Sequence, residues 1–177
     1  MKLDASGEYI DFGTSPVLNM GTSGFTVSFW MNYSGVNNAS WDIVIGKKAG
    51  GWVDRGWLFR IPENSSKLNF HLADGTGYAE RSISITPNQW HYIVGVRNGN
   101  TTSVYKDGKL EAIPATNPIY GADMSNSVSL KTGWLAGWSY FFGQIDEVAI
   151  YSQPLTLSQI QHLYAQGLIR RAVAFRY

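Results

Sequence analysis

The chain has 177 residues and is nearly neutral, with 14 Lys+Arg against 13 Asp+Glu and a net charge of +1. That is the size of one domain with a two-layer core, without the basic balance that marks a nucleic-acid partner. It holds no cysteine, which excludes disulfides, thiol catalysis and Cys-ligated zinc, and no run of about 18 apolar residues that would insert into a membrane.

The opening Met1-Lys2-Leu3-Asp4 has no apolar signal region and enters a strand pattern almost at once. Phe25-Thr26-Val27-Ser28-Phe29-Trp30-Met31 alternates with period two, placing Phe25, Val27, Phe29 and Met31 on one face. Short strands are expected at residues 42–46, at 56–61 (stopped by Pro62), at 67–72 and at 80–85. The clearest hairpin joins residues 90–97 to 102–106 through Asn98-Gly99-Asn100. Asp107-Gly108 then predicts a tight turn, because both positions tolerate positive φ. Residues 128–132 and 143–151 complete the strands. Helical period occurs once, after a cap at Thr156 or Ser158, with Leu157, Ile160, Gln161 and Tyr164 on one side and Gly167 as the expected stop. The tail, residues 168–177, reads as a last edge strand or a contact arm. High aromatic content (14%), 19 glycines and few charges (15%) fit this picture of an all-β, two-sheet antiparallel sandwich with one short C-terminal helix.

Several segments together carry a resemblance. Leu3-Asp4-Ala5-Ser6-Gly7-Glu8-Tyr9-Ile10, the strand around Trp30, Trp90-His91-Tyr92-Ile93-Val94-Gly95-Val96, Val104-Tyr105-Lys106-Asp107-Gly108-Lys109-Leu110 and Gly143-Gln144-Ile145-Asp146-Glu147-Val148-Ala149-Ile150-Tyr151 occur in this order. In that order they resemble laminin-G-like domains of the concanavalin A-like lectin/glucanase superfamily. The resemblance implies a jelly roll over residues 1–167, with 168–177 attached to it. It says little about chemistry, because this fold hosts lectins, glycosidases and adhesion domains alike.

Glycosidases of the superfamily carry Glu-x-Asp-x-x-Glu on one strand. Retaining hydrolysis needs two carboxyl groups about 5 Å apart, one of them a nucleophile. Here Gln144 stands at the nucleophile position and Ala149 at the acid position, leaving Asp146 alone on that face. An amide cannot form the glycosyl ester and alanine cannot donate a proton, so no enzyme is expected. Laminin-G-like relatives often hold calcium at the sandwich rim. The resemblance implies Asp4 and Asp146, on first and last strands that lie side by side, as ligands of a structural calcium ion, with carbonyls and water completing the shell. The simpler role for both is to accept hydrogen bonds within their own turns.

Sugar sites use aromatic faces against the C–H face of a pyranose. Trp30 and Trp90 fall at core positions of the family. Gly51-Trp52-Val53-Asp54-Arg55-Gly56-Trp57 is the first platform candidate, with Trp52 and Trp57 as the rings and Asp54 and Arg55 to bind hydroxyls or the carboxylate of an acidic sugar. Trp134 and Trp138, in Trp134-Leu135-Ala136-Gly137-Trp138, form the second. Loop closure over the sandwich ends is the plainer role for both clusters. Lys47-Lys48 reads as a solvated turn. The expected function is non-catalytic recognition of carbohydrate or glycoprotein, at a cell exterior or on a particle surface. The rival is a structural or adhesive module that meets other protein subunits through its tail.

Overall fold

The computed structural model describes residues 1–4, 7–36, 40–116 and 123–174. In chain order the strands are β1 (Lys2–Leu3), β2 (Ile10–Asp11), β3 (Phe25–Tyr33), β4 (Asp42–Lys48), β5 (Gly56–Ile61), β6 (Lys67–Ala73), β7 (Tyr78–Ser84), β8 (Trp90–Asn98), β9 (Thr101–Lys106), β10 (Lys109–Thr116), β11 (Lys131–Thr132), β12 (Ser139–Tyr140) and β13 (Gly143–Tyr151). A short 3-10 helix spans Pro16–Leu18 between β2 and β3, and an α-helix, α1 (Leu157–Ala174), follows β13. The first sheet runs β1-β13-β3-β8-β9-β10. The second runs β2-β11-β4-β5-β6-β7, with β12 added in parallel to β4.

The first and last strands do lie side by side. Lys2 pairs with Gln144, and the Met1 amino group donates to the Ile145 carbonyl at 2.8 Å. Strand β3 is central because β13 and β8 flank it. Its alternation sends Phe25, Val27, Phe29 and Met31 into the space between the sheets, against Trp57, Phe59, Ile61, Leu68, Phe70 and Leu72. The Phe59 and Phe70 rings stack at 4.5 Å, and Phe29 meets Phe59 edge-on at 5.0 Å. Gly95 on β8 is required beneath them, since a Cβ there would lie 2.5 Å from Phe59. Asp107 and Gly108 both take positive φ in the predicted tight turn.

The other face of the first sheet is covered by α1, whose Ile160, together with Leu155 just before the helix, packs on Trp30, Tyr92, Val94 and Val96. Thr156 and Gln159 form a reciprocal capping box: the Thr156 N–H donates to Gln159 Oε1 at 2.8 Å, and the Gln159 N–H to Thr156 Oγ1 at 3.4 Å. The helix does not stop at Gly167, and residues 168–174 continue it rather than form a strand. Gly167 serves close approach instead, because a Cβ at that point would sit 2.5 Å from the Trp30 indole nitrogen. No helix among the described residues is long and apolar enough to cross a membrane.

Asp42 begins β4, opposite Ile61, and is fully buried. Burial pushes its carboxyl up to about 7, and the Ser139 hydroxyl offsets this only in part. The unfolded chain ionises Asp42 near its ordinary value, whereas the folded chain resists until about 7. Stability is therefore lost as pH rises from about 4 to about 7 and then levels off. Asp42→Asn removes that loss. Thermal melts should show the variant gaining on the parent between pH 4 and 7, by an amount on the order of 2–4 kcal/mol at neutral pH; a margin independent of pH would refute this origin.

Candidate functional site

The second sheet carries, on its outward face, a buried charge roofed by aromatic rings. Alternation along β5 sends Trp57, Phe59 and Ile61 into the core and Arg60 outward. Arg60 is nevertheless 0% exposed. Three loop tryptophans close over it: Trp41 before β4, Trp52 after β4 and Trp138 before β12. Their rings stand nearly at right angles, with interplanar angles of 82°, 89° and 81° and centroids 5.4–6.4 Å apart. The guanidinium carbon sits in the corner they form, 4.0 Å from Trp41, 3.9 Å from Trp52 and 5.4 Å from Trp138. In a site without water each close cation–π contact is worth on the order of 2 kcal/mol.

Glu80, two strands away on β7, neutralises the cation through an ion pair with Arg60 Nη2. Asn69 Nδ2 donates to the same carboxylate at 2.6 Å, and Ser82 Oγ donates to Asn69 Oδ1 at 2.7 Å. Burial works against ionised Glu80, but the neighbouring His71 and the charge of Arg60 outweigh it and hold the carboxyl below its usual range. His71 donates from Nε2 to the Trp52 carbonyl at 3.0 Å, and its Nδ1 lies 3.2 Å from Glu80. Burial lowers the His71 pKa, with the bond to Glu80 opposing.

Two rings of this cluster lie largely open to solvent. Trp52 is 43% exposed and Tyr78 is 46% exposed. Their centroids are 5.5 Å apart at 37°, and Tyr78 stacks on the buried His71 ring at 5.1 Å. The result is a two-ring surface fixed from beneath by Arg60 and His71.

The residues expected from sequence divide accordingly. Trp52 belongs to this surface. Trp57 does not: it is 2% exposed and packs on Phe25 in the core, because it lies inside β5 rather than in the loop. Asp54 accepts the Gly51 N–H at 2.7 Å, and Arg55 pairs with Asp123 at 2.8 Å. Both shape the loop that carries Trp52. Trp138 joins Trp52 in the corner, whereas Trp134 turns away and stacks on Tyr140 at 5.8 Å and near Tyr9 at 5.5 Å. Arg60, His71, Glu80 and Tyr78 were not singled out from sequence. The signal available was polar residues spaced by two, Asn69/His71 and Glu80/Ser82, on the outward faces of paired strands.

Lys47 and Lys48 are not a solvated turn, being 1% and 2% exposed. The Lys47 ammonium donates to Asn126 O (3.0 Å), Asn126 Oδ1 (3.1 Å) and Val128 O (2.7 Å). The Lys48 ammonium donates to the carbonyls of Gly51 and Asp54, and burial lowers it to about 8. The two acids expected to bind calcium are not brought together. Lys2 pairs with Gln144, so Asp4 and Asp146 lie four residue positions apart along antiparallel strands, about 13 Å. Asp4 is paired with Lys2, and Asp146 meets Arg171 at 3.4 Å. Among the described residues no group of three or more His, Cys, Asp or Glu could hold a metal ion. Asp4 and Asp146 therefore do not fit a shared calcium ion.

A family model described as "Concanavalin A-like lectin/glucanases superfamily" matches residues 4–161. No curated protein matches. Among solved structures, the chain is similar to the binding domain of botulinum neurotoxin serotype G, at 16% identity and a TM-score of 0.76 over 94% of this chain and 42% of that one. It is also similar to the binding domain of Paraclostridial Mosquitocidal Protein 1 (17%, TM-score 0.73, 93% and 45%) and to that of botulinum neurotoxin serotype D (17%, 0.72, 96% and 42%). The chain thus spans less than half the length of these structures, and the likeness is one of fold.

Removing the cation leaves Glu80 without its main partner and the three indoles without their centre. Arg60→Met should cost roughly 3 kcal/mol of unfolding free energy and shift the tryptophan emission to longer wavelength, while Glu80→Gln should cost less. Unchanged melting and emission in Arg60→Met would show that the corner holds itself.

Proposed function

The chain belongs to the concanavalin A-like lectin/glucanases superfamily, and on that premise we propose that it is a non-catalytic recognition domain that binds carbohydrate on the Trp52–Tyr78 surface. The observation that carries the reading is an exposed indole held rigid by a buried cation. A ring fixed before binding loses no rotamer freedom when a pyranose stacks on it. Tyr78 extends the apolar surface beside it, and its hydroxyl supplies a donor and an acceptor for sugar hydroxyls.

The absence of a glycosidase pair along β13 supports a binding role rather than hydrolysis. Gln144 faces Asn32 and Lys2 across the sheet, not a carboxylate. Glu80, the acid beneath the aromatic surface, is engaged by Arg60, Asn69 and His71. A single shallow platform binds weakly, so useful avidity would come from several copies presented together.

A second reading keeps the fold and changes the partner. Leu168 is 45% exposed and Ile169 66% exposed on α1, apolar side chains of the kind that meet another protein. This favours a structural or adhesive module within a larger assembly.

A glycan array run with calcium and again with EDTA separates the two. Binding should appear and fall at least about tenfold in Trp52→Ala and Tyr78→Ala, the loss of roughly 1.4 kcal/mol of stacking. The two arms should agree, since Asp4 and Asp146 are too far apart to share an ion. A blank array from folded protein would move the assignment to the protein-partner reading.

A further inference from the structure

On the opposite side of the sandwich, at the edge of the first sheet, a cleft of about 350 Å³ opens between β1, β13 and the end of β3. We propose that this cleft is a second binding site, for a neutral ligand rich in hydroxyl groups, a saccharide. It shares no residue with the Trp52–Tyr78 surface and stands whether or not that surface binds sugar.

Three side-chain amides line it: Asn32, Asn88 and Gln144. Asn32 and Gln144 are directly opposed on β3 and β13, both half-buried. Cross-strand neighbours of this kind can bond to each other, yet these do not. None of the three amides makes a hydrogen bond to another described group. A primary amide presents a donor and an acceptor side by side, which is the pairing that adjacent hydroxyls of a sugar require. Three unengaged amides around one cleft therefore form a hydroxyl-binding set.

The cleft also selects against charge. Lys2 and Asp4 stand at its wall and neutralise each other as an ion pair. Phe142 and Val36 line it as well, and Val36 is 49% exposed, giving apolar contact for the C–H face of a ring.

The amides are held in place before any ligand arrives. The sheet ladder fixes Asn32 and Gln144. Ser34 closes the rim by donating its N–H (3.0 Å) and Oγ–H (2.9 Å) to the Phe142 carbonyl. The Asn88 N–H donates to the Tyr33 carbonyl at 2.7 Å, with Asn88 in the left-handed region at φ 60°. Asparagine is among the few residues that adopt that region readily, so Asn88 meets the cleft from a fixed backbone.

The test is a titration of the whole isotopically labelled chain with a panel of neutral mono- and disaccharides, following the side-chain NH₂ signals and the indole N–H signals by NMR. Saturable shifts at Asn32, Gln144 and Asn88 are expected, with glycerol at equal concentration giving none. Asn32→Ala and Gln144→Ala should each weaken binding roughly tenfold, as for the loss of a hydrogen-bonded pair, while Trp52→Ala leaves these shifts intact. Asn32→Ser provides the same test if the alanine variant does not fold. Shifts at the Trp52 indole alone would overturn this site and leave the first one standing. Amide shifts equal with sugar and glycerol, or no amide shifts with any sugar, would also overturn it.

Discussion

The structure turns on how a chain with few charges buries the cations it has. The guanidinium of Arg60 lies where water cannot reach it. It is tolerated because three indoles supply π-faces and Glu80 supplies the opposite charge. Each partner is supplied by a different segment: Trp41, Trp52 and Trp138 by three loops, Glu80 by a strand two removed. A buried ion is stable only with its full set of partners, so one residue on β5 fixes three loops that local sequence preference leaves undetermined. Lys47 and Lys48 act similarly with carbonyl oxygens, gathering the segments around residues 126–128 and 51–54. Arg171 lies 3.9 Å above Trp90 and 4.4 Å from Trp30, holding the later turns of α1.

Period and turn chemistry made the fold legible from sequence. Phe25, Val27, Phe29 and Met31 announce an inward face, and Asp107-Gly108 announces a turn with positive φ; both are properties of a residue and its immediate neighbours. The candidate site was legible only in its materials. Trp52 and Trp138 were named, but Trp57 was grouped with Trp52 because the two bracket Asp54-Arg55, although β5 begins between them. Nothing in the local pattern says that Arg60 is buried, since its nearest partner, Trp52, is 8 positions away along the chain and its farthest, Trp138, is 78. Lys47 and Lys48 look solvated for the same reason. Gly167 carries two meanings, helix stop or close contact, and only the position of Trp30 decides.

The two outward faces of the sandwich have been put to different use. The first sheet gives most of one face to α1 and keeps a polar cleft at its rim. The second sheet, with no α-helix packed on it among the described residues, covers its charge with tryptophan-bearing loops and leaves Trp52 and Tyr78 in the open. Burial and exposure of aromatics thus follow from which sheet received the helix.

The pairing of β1 with β13 also bears on how the chain is made. Met1 meets Ile145 across 144 positions of sequence, and β13 separates β1 from β3 in the first sheet. Until residue 151 has left the ribosome, β3 has one flank unpaired and β1 has no partner. Such distant contacts carry a high closure entropy and slow the search for the native state. The nascent chain must therefore hold an open, apolar strand edge from the emergence of β3 until that of β13, an interval in which pairing with a neighbouring chain competes with folding.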